Sequence, residues 1–144
     1  MIVLVCGGRD FGSLPPFDPP YTGWQQAVSK ARREEDYLNR VLSAAHRKYG
    51  LLGLLHGAAR GADRLAGEWA RKNGIEEIAR PADWKRDGKR AGPIRNQTML
   101  DELLLFSKNT CNVLVIAFPG SSGTEDMKAR ARKANVKVIE IPEP

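Results

Sequence analysis

The chain has 144 residues, 42% hydrophobic and 28% charged: enough for one domain that buries about two-thirds of its unfolded surface, and too apolar for a disordered chain. Two cysteines, Cys6 and Cys111, exclude a disulfide scaffold and a zinc site built from Cys alone, and no stretch approaches the about 18 apolar residues of a membrane span. The apolar start Met1 to Cys6 has no basic region before it, so a cytoplasmic protein without membrane contact is expected, and 23 Lys+Arg against 17 Asp+Glu (+6) favour an anionic partner.

In chain order, Ile2 to Val5 reads as a buried-type strand ending in Gly7-Gly8. A proline-rich insertion over 12–24 follows, with Pro15, Pro16, Phe17, Pro19, Pro20 and Tyr21, which serves either as a lid or as a passive insertion. Leu38, Val41, Leu42, Ala45 and Tyr49 then recur at helical steps until Gly50. Leu51 to His56 is a second strand, and Ala62, Leu65, Ala66 and Trp69 mark a second helix after Gly57 and Gly61. Ile75 to Ala79 is a weak strand leading into a basic loop. Met99, Leu100, Leu103 and Leu104 mark a third helix, Val113 to Phe118 a fourth strand, Ser122 to Ala134 a helix, and Val136 to Ile141 a last strand. Strictly alternating strands and helices predict an α/β fold, a single Rossmann-like domain over 1–144 with about five parallel strands flanked by helices. Such sheets bind ligands outside the carboxyl ends of their strands, so the residues just after each strand carry the functional argument.

Charge is concentrated in two places. Residues 80–95 carry +4 and residues 125–137 carry +3, leaving the rest about neutral. A compact anion in a cleft accounts for this better than a long polyanion does. In Pro119 to Thr124, glycines allow close approach of the backbone, and Ser122, Gly123 and Thr124 place amides and hydroxyls at a helix start, an arrangement that either binds phosphate or is an ordinary N-cap. Arg60, Gly61 and Asp63 follow the second strand: Asp63 either caps its helix with Arg60 as ion-pair partner, or accepts from ribose hydroxyls while Arg60 meets phosphate. His56 ends a buried-type strand and reads as a satisfied histidine. Trp84, between cations, either stacks on a base or pins the loop. Arg95-Asn96 follow Pro93 at a helix start and suit a phosphate or carboxylate. No histidine pair has metal-ligand spacing and no Ser-His-Asp or Cys-His set has a local signature, so no metal, cofactor or covalent intermediate is expected.

Five segments in order, Val5-Cys6-Gly7-Gly8-Arg9-Asp10-Phe11, His56 to Asp63, Pro81-Ala82-Asp83-Trp84, Gly92-Pro93-Ile94-Arg95-Asn96 and Phe118 to Thr124, together resemble the YspA/cpYpsA-related branch of the SLOG superfamily. The resemblance implies a Rossmann-like domain that binds a nucleotide or nucleotide-derived small molecule, for sensing, sequestration or processing, and a homodimer or higher homo-oligomer. Its ligand-binding positions here are Gly8, Arg9, Arg60, Gly61, Asp63, Trp84, Arg95, Gly120, Ser121, Gly123 and Thr124. The related lonely-guy enzymes hydrolyse the N-glycosidic bond of nucleoside monophosphates with a Pro-Gly-Gly-x-Gly-Thr-x-x-Glu loop. Met127 stands where that Glu belongs, and a thioether cannot replace a carboxylate, so this activity needs another acid, with Asp63 and Glu125 the candidates. DprA-type relatives imply the further alternative of single-stranded nucleic-acid binding, which the thin scatter of aromatics disfavours.

Overall fold

The computed structural model describes residues 1–14, 23–109 and 111–144 of the chain. The central part of the proline-rich insertion, with its four prolines, lies outside the described residues, and with it the choice between lid and passive insertion. Five strands are observed: β1 (Ile2–Cys6), β2 (Gly53–His56), β3 (Glu76–Ala79), β4 (Val113–Ala117) and β5 (Val138–Glu140). The helices are α1 (Trp24–Tyr49), α2 (Ala62–Lys72), the one-turn α3 (Trp84–Asp87), α4 (Ala91–Lys108) and α5 (Ser122–Lys133).

All strand pairs are parallel, in the order β3-β2-β1-β4-β5. Alternation along the strands divides the core. Val3 and Val5 of β1, Leu54 of β2, and Leu114 and Ile116 of β4 face the layer holding Leu38 and Leu42 of α1 and Leu65 and Trp69 of α2. Ile2, Leu4, Cys6, Leu55, Val115 and Ala117 face the opposite layer, with Met99, Leu100 and Leu103 of α4 and Met127 and Ala131 of α5. Strands buried on both sides must be apolar throughout, which is why β1 and β4 read as continuous hydrophobic runs. The fold is thus the expected α/β Rossmann-like arrangement, and the strand order reverses between β1 and β4. No helix among the described residues is long and apolar enough to cross a membrane.

The expected basic loop at 80–95 is largely helical instead. Asp83 caps α3 by accepting from the Arg86 N–H at 3.1 Å, Gly88 at φ 56° ends it, a 3-10 turn covers Gly88–Arg90, and α4 starts at Ala91. Pro93 falls in the first turn of α4, where a missing N–H leaves no hydrogen bond unmade. The two basic segments are also less open to an outside anion than their net charge suggests. Arg80 grips Glu102 through two hydrogen bonds of 2.7 and 2.9 Å, Lys128 pairs with Glu125 and Glu140, Arg130 with Asp126, and Arg132 with Glu140. The cluster on α5 is therefore neutralised mainly by its own neighbours.

Candidate functional site

A cleft of about 730 Å³ opens at the carboxyl ends of β1, β2 and β4, beside the point where the strand order reverses. Three loops meet there because of small residues. A Cβ on Gly7 would lie 2.6 Å from that of Ala62, and one on Gly8 only 3.0 Å from the Pro119 carbonyl oxygen. Gly61, at φ 80°, has no room for a side chain against the Gly8 and Arg9 carbonyls. The Gly8 N–H donates to the Pro119 carbonyl at 2.8 Å and the Gly8 carbonyl accepts from the Ala62 N–H at 3.1 Å, so one residue ties the β1 loop to both of its neighbours. Gly8 lines the cleft, whereas Gly61 is a packing residue behind it.

The β4 loop forms one end of the cleft, with Gly120, Ser121, Gly123 and Thr124 on its surface. The first intrahelical bond of α5 runs from the Glu125 N–H to the Ser121 carbonyl at 3.0 Å, so the amides of Ser122, Gly123 and Thr124 have no carbonyl partner within the helix. Ser121 makes no side-chain cap. Thr124 is 5% exposed, and no described residue hydrogen-bonds its hydroxyl, which lies against Gly120. The position is held from behind: the buried Asn96 donates through Nδ2 to the Gly123 carbonyl at 3.2 Å and to Asp126 at 3.0 Å.

The β2 loop is internally satisfied. Asp63, in the first turn of α2, accepts from the Ala59 N–H at 3.2 Å. Burial pushes its carboxyl pKa up against the opposing pull of that amide, His56 and Arg95. Arg95 donates to the Gly57 carbonyl and, at 3.2 Å, to the Asn96 side chain; burial lowers its pKa, and nearby Asp63 offsets part of that. Both residues line the cleft. Arg60 also lines it, but its ion-pair partner is the exposed Asp10 at 3.2 Å and not Asp63. Arg9 lies over the ring of Trp84 at 5.3 Å, and Trp84, half exposed, forms part of the opposite lip. His56 is buried and has both ring nitrogens engaged, with Glu77 at 3.0 Å and the Ala58 N–H at 2.9 Å.

Of the two candidate acids, Asp63 lies at the cleft, whereas Glu125 is outside its lining and bonds Lys128 at 2.5 Å. Met127 is fully buried in the core beneath α5, so an acid there would have required a different helix rotation. Cys6 reaches the cleft floor, but burial first, and Asp63 second, push its thiol up to about 12, so no thiolate nucleophile is available at neutral pH. Among the described residues no His, Cys, Asp and Glu side chains group so as to hold a metal ion. Sequence reasoning missed Lys30 and Glu34 of α1 and Glu143 in the lining, which also holds Lys89 of the basic segment and Asp126. For Glu34 a signal existed: it falls in phase with Ala31, Leu38 and Leu42, the buried stripe of α1.

The family described as YspA, cpYpsA-related SLOG matches residues 1–86, which include the loops after β1 and β2 and reach α3. The chain is also 40% identical over 99 residues to the Gene 61 protein of Mycobacterium phage D29, an alignment spanning 63% of this chain and 71% of that protein.

Proposed function

The chain belongs to the YspA, cpYpsA-related SLOG family, and from that premise we propose that its cleft binds a small nucleotide or nucleotide-derived ligand, for sensing, sequestration or processing. The phosphate meets the amides of Ser122, Gly123 and Thr124, the Thr124 hydroxyl and the backbone of Gly120, where the positive end of α5 adds to the unpaired donors. Trp84 offers a face for the base, with Arg9 above it. One observation carries the reading: amides and a threonine hydroxyl that have no partner among the described residues meet at one end of a cleft whose volume falls in the range of about 300–1,000 Å³ usual for small-molecule sites.

The charge of the lining favours a compact ligand. Among the described residues five basic side chains (Arg9, Lys30, Arg60, Lys89, Arg95) are matched by five acidic ones (Asp10, Glu34, Asp63, Asp126, Glu143), so no continuous positive track invites a polyanion. The test is thermal shift and native mass spectrometry with AMP, GMP, cyclic AMP and ADP-ribose, since a ligand at 100 times its Kd stabilises by about 2.7 kcal/mol. Stabilisation by one or more supports the reading, and none by any overturns it. Oligonucleotide binding that survives about 0.2 M salt would favour a nucleic-acid partner instead.

The state of Asp63 favours a second reading, hydrolysis of a nucleotide's N-glycosidic bond. Burial holds this carboxyl toward its protonated form, the form able to give a proton to a departing base while water adds at the sugar carbon. Release of free base from AMP or GMP, abolished in Asp63→Asn with binding retained, supports it; no release by the wild type removes it.

A further inference from the structure

Glu34 is a carboxylate in an unusual place. It lies on the sheet-facing side of α1, between Ala31 and Leu38, and is only 6% exposed. Its single hydrogen bond is a long one, to Oε1 from the Gly12 N–H at 3.3 Å. No basic side chain pairs with it and its second oxygen has no partner among the described residues, yet the residue lines the cleft. Buried carboxylates normally carry a counter-ion or a full set of donors, because removing the charge from water is costly unless it is paired. Lys30, one turn earlier, also lines the cleft but forms no ion pair with Glu34.

The placement is informative. α1 covers the sheet face opposite to α5, so Glu34 stands across the sheet edge from the unpaired amides of Ser122 to Thr124. The cleft thus offers donors without acceptors at one side and, at the other, a carboxylate with one long hydrogen bond and a second oxygen that has no partner among the described residues. A ligand that satisfies both is an anion at one end and a hydrogen-bond donor at the other. Resting on the nucleotide reading above, we propose that Glu34 is a specificity-determining residue that accepts from a donor group of the bound nucleotide, either sugar hydroxyls or the exocyclic amine of its base. A ligand with phosphate but no such donor covers the second oxygen without satisfying it and is bound less tightly.

The experiment is calorimetric titration of wild type and Glu34→Gln with AMP and two analogues, 2′,3′-dideoxy-AMP, which lacks the hydroxyls, and purine riboside 5′-monophosphate, which lacks the amine. Gln keeps the side-chain length and an oxygen for the Gly12 N–H, but loses the charge and presents donors at its other end. Expected are AMP binding about 10- to 100-fold weaker in Glu34→Gln, consistent with loss of one charge-assisted hydrogen bond, and a similar loss in wild type for one of the two analogues. The analogue that loses affinity identifies the donor. Equal AMP affinity in the two proteins, or undiminished binding of both analogues by wild type, overturns the role of Glu34 while leaving nucleotide binding intact. Wild type that binds no AMP, together with no response to the wider nucleotide panel, overturns both. If Glu34→Gln does not fold, the analogue series on wild type decides alone.

Discussion

The helices α2 and α5 start in the same way and end up with different tasks. Each follows a core strand, each has a glycine within the two residues before it (Gly61 and Gly120), and each begins beside β1. At α2 the protein uses the site itself: the Ala62 N–H goes to the Gly8 carbonyl, Asp63 supplies the negative charge that a helix start attracts, and its carboxylate gathers the loop amide of Ala59. At α5 the first three amides and the Thr124 hydroxyl lie at the cleft without partners among the described residues. A helix N-terminus is therefore informative only after its hydrogen bonds are counted. At α2 the fold takes the Ala62 amide and the charge of Asp63 sits at the helix start, whereas at α5 none of the first three amides has a partner among the described residues, which is why the proposed ligand is placed there.

The sharpest way to break this contrast is one glycine substitution on each side. Gly61→Ala, with a Cβ driven into the Gly8 and Arg9 carbonyls at positive φ, should cost at least about 2 kcal/mol in chemical denaturation. Gly123→Ala meets open space at a helical position and should leave stability unchanged or raise it by up to about 1 kcal/mol, while narrowing the proposed ligand site. If Gly61→Ala proves neutral, the account of the α2 side is wrong.

Next in size is Thr124→Val, which removes a hydroxyl that no described residue uses. It should weaken binding of whichever nucleotide stabilises the wild type by about tenfold, with little change in Tm. A large loss of Tm with unchanged affinity would mean that the hydroxyl serves the fold.

Asp63→Asn gives a smaller effect, read against pH. Because burial raises the folded-state pKa of Asp63, the wild type holds this contribution at low pH and loses it as pH rises from the ordinary carboxylate range through the raised value. The stability difference between variant and wild type should therefore move in favour of the variant as pH rises through the acid range. Denaturation midpoints measured from acid to neutral pH check this, and a difference moving the other way would show that the amides around Asp63 outweigh its burial. The smallest effect belongs to Arg60→Ala: its bond to Asp10 is exposed on both sides, so unfolding free energy should change by less than about 0.5 kcal/mol.

The five parallel strands and the loops after β1, β2 and β4 were legible because parallel strands buried on both faces leave unbroken apolar runs that stop at glycines, whereas the order of the strands in the sheet came only from the structure. The helical character of 84–90 was not, since a one-turn helix has no periodicity to detect and depends on the single cap from Asp83. Arg60 and Asp63 look like partners at three residues' separation, yet Asp63 turns into the loop and Arg60 outward to a residue fifty positions away. Glu34 was hidden by its chemistry, because a carboxylate on a long charged helix reads as solvated surface and only its phase with Leu38 and Leu42 betrays the buried side. The neutralised cluster on α5 escaped for a related reason: its counter-charge Glu140 comes from β5, outside the basic segment itself.

Gly8 joins the two helix starts through its own peptide groups, its N–H held by the β4 loop and its carbonyl by the first amide of α2. A ligand that draws in the β4 loop must strain or tighten the first of these bonds, and the second shares the same short stretch of backbone. The solvent-exchange rates of the Gly8 and Ala62 amides should consequently shift together on binding, giving a label-free reporter away from the amides proposed to hold the phosphate.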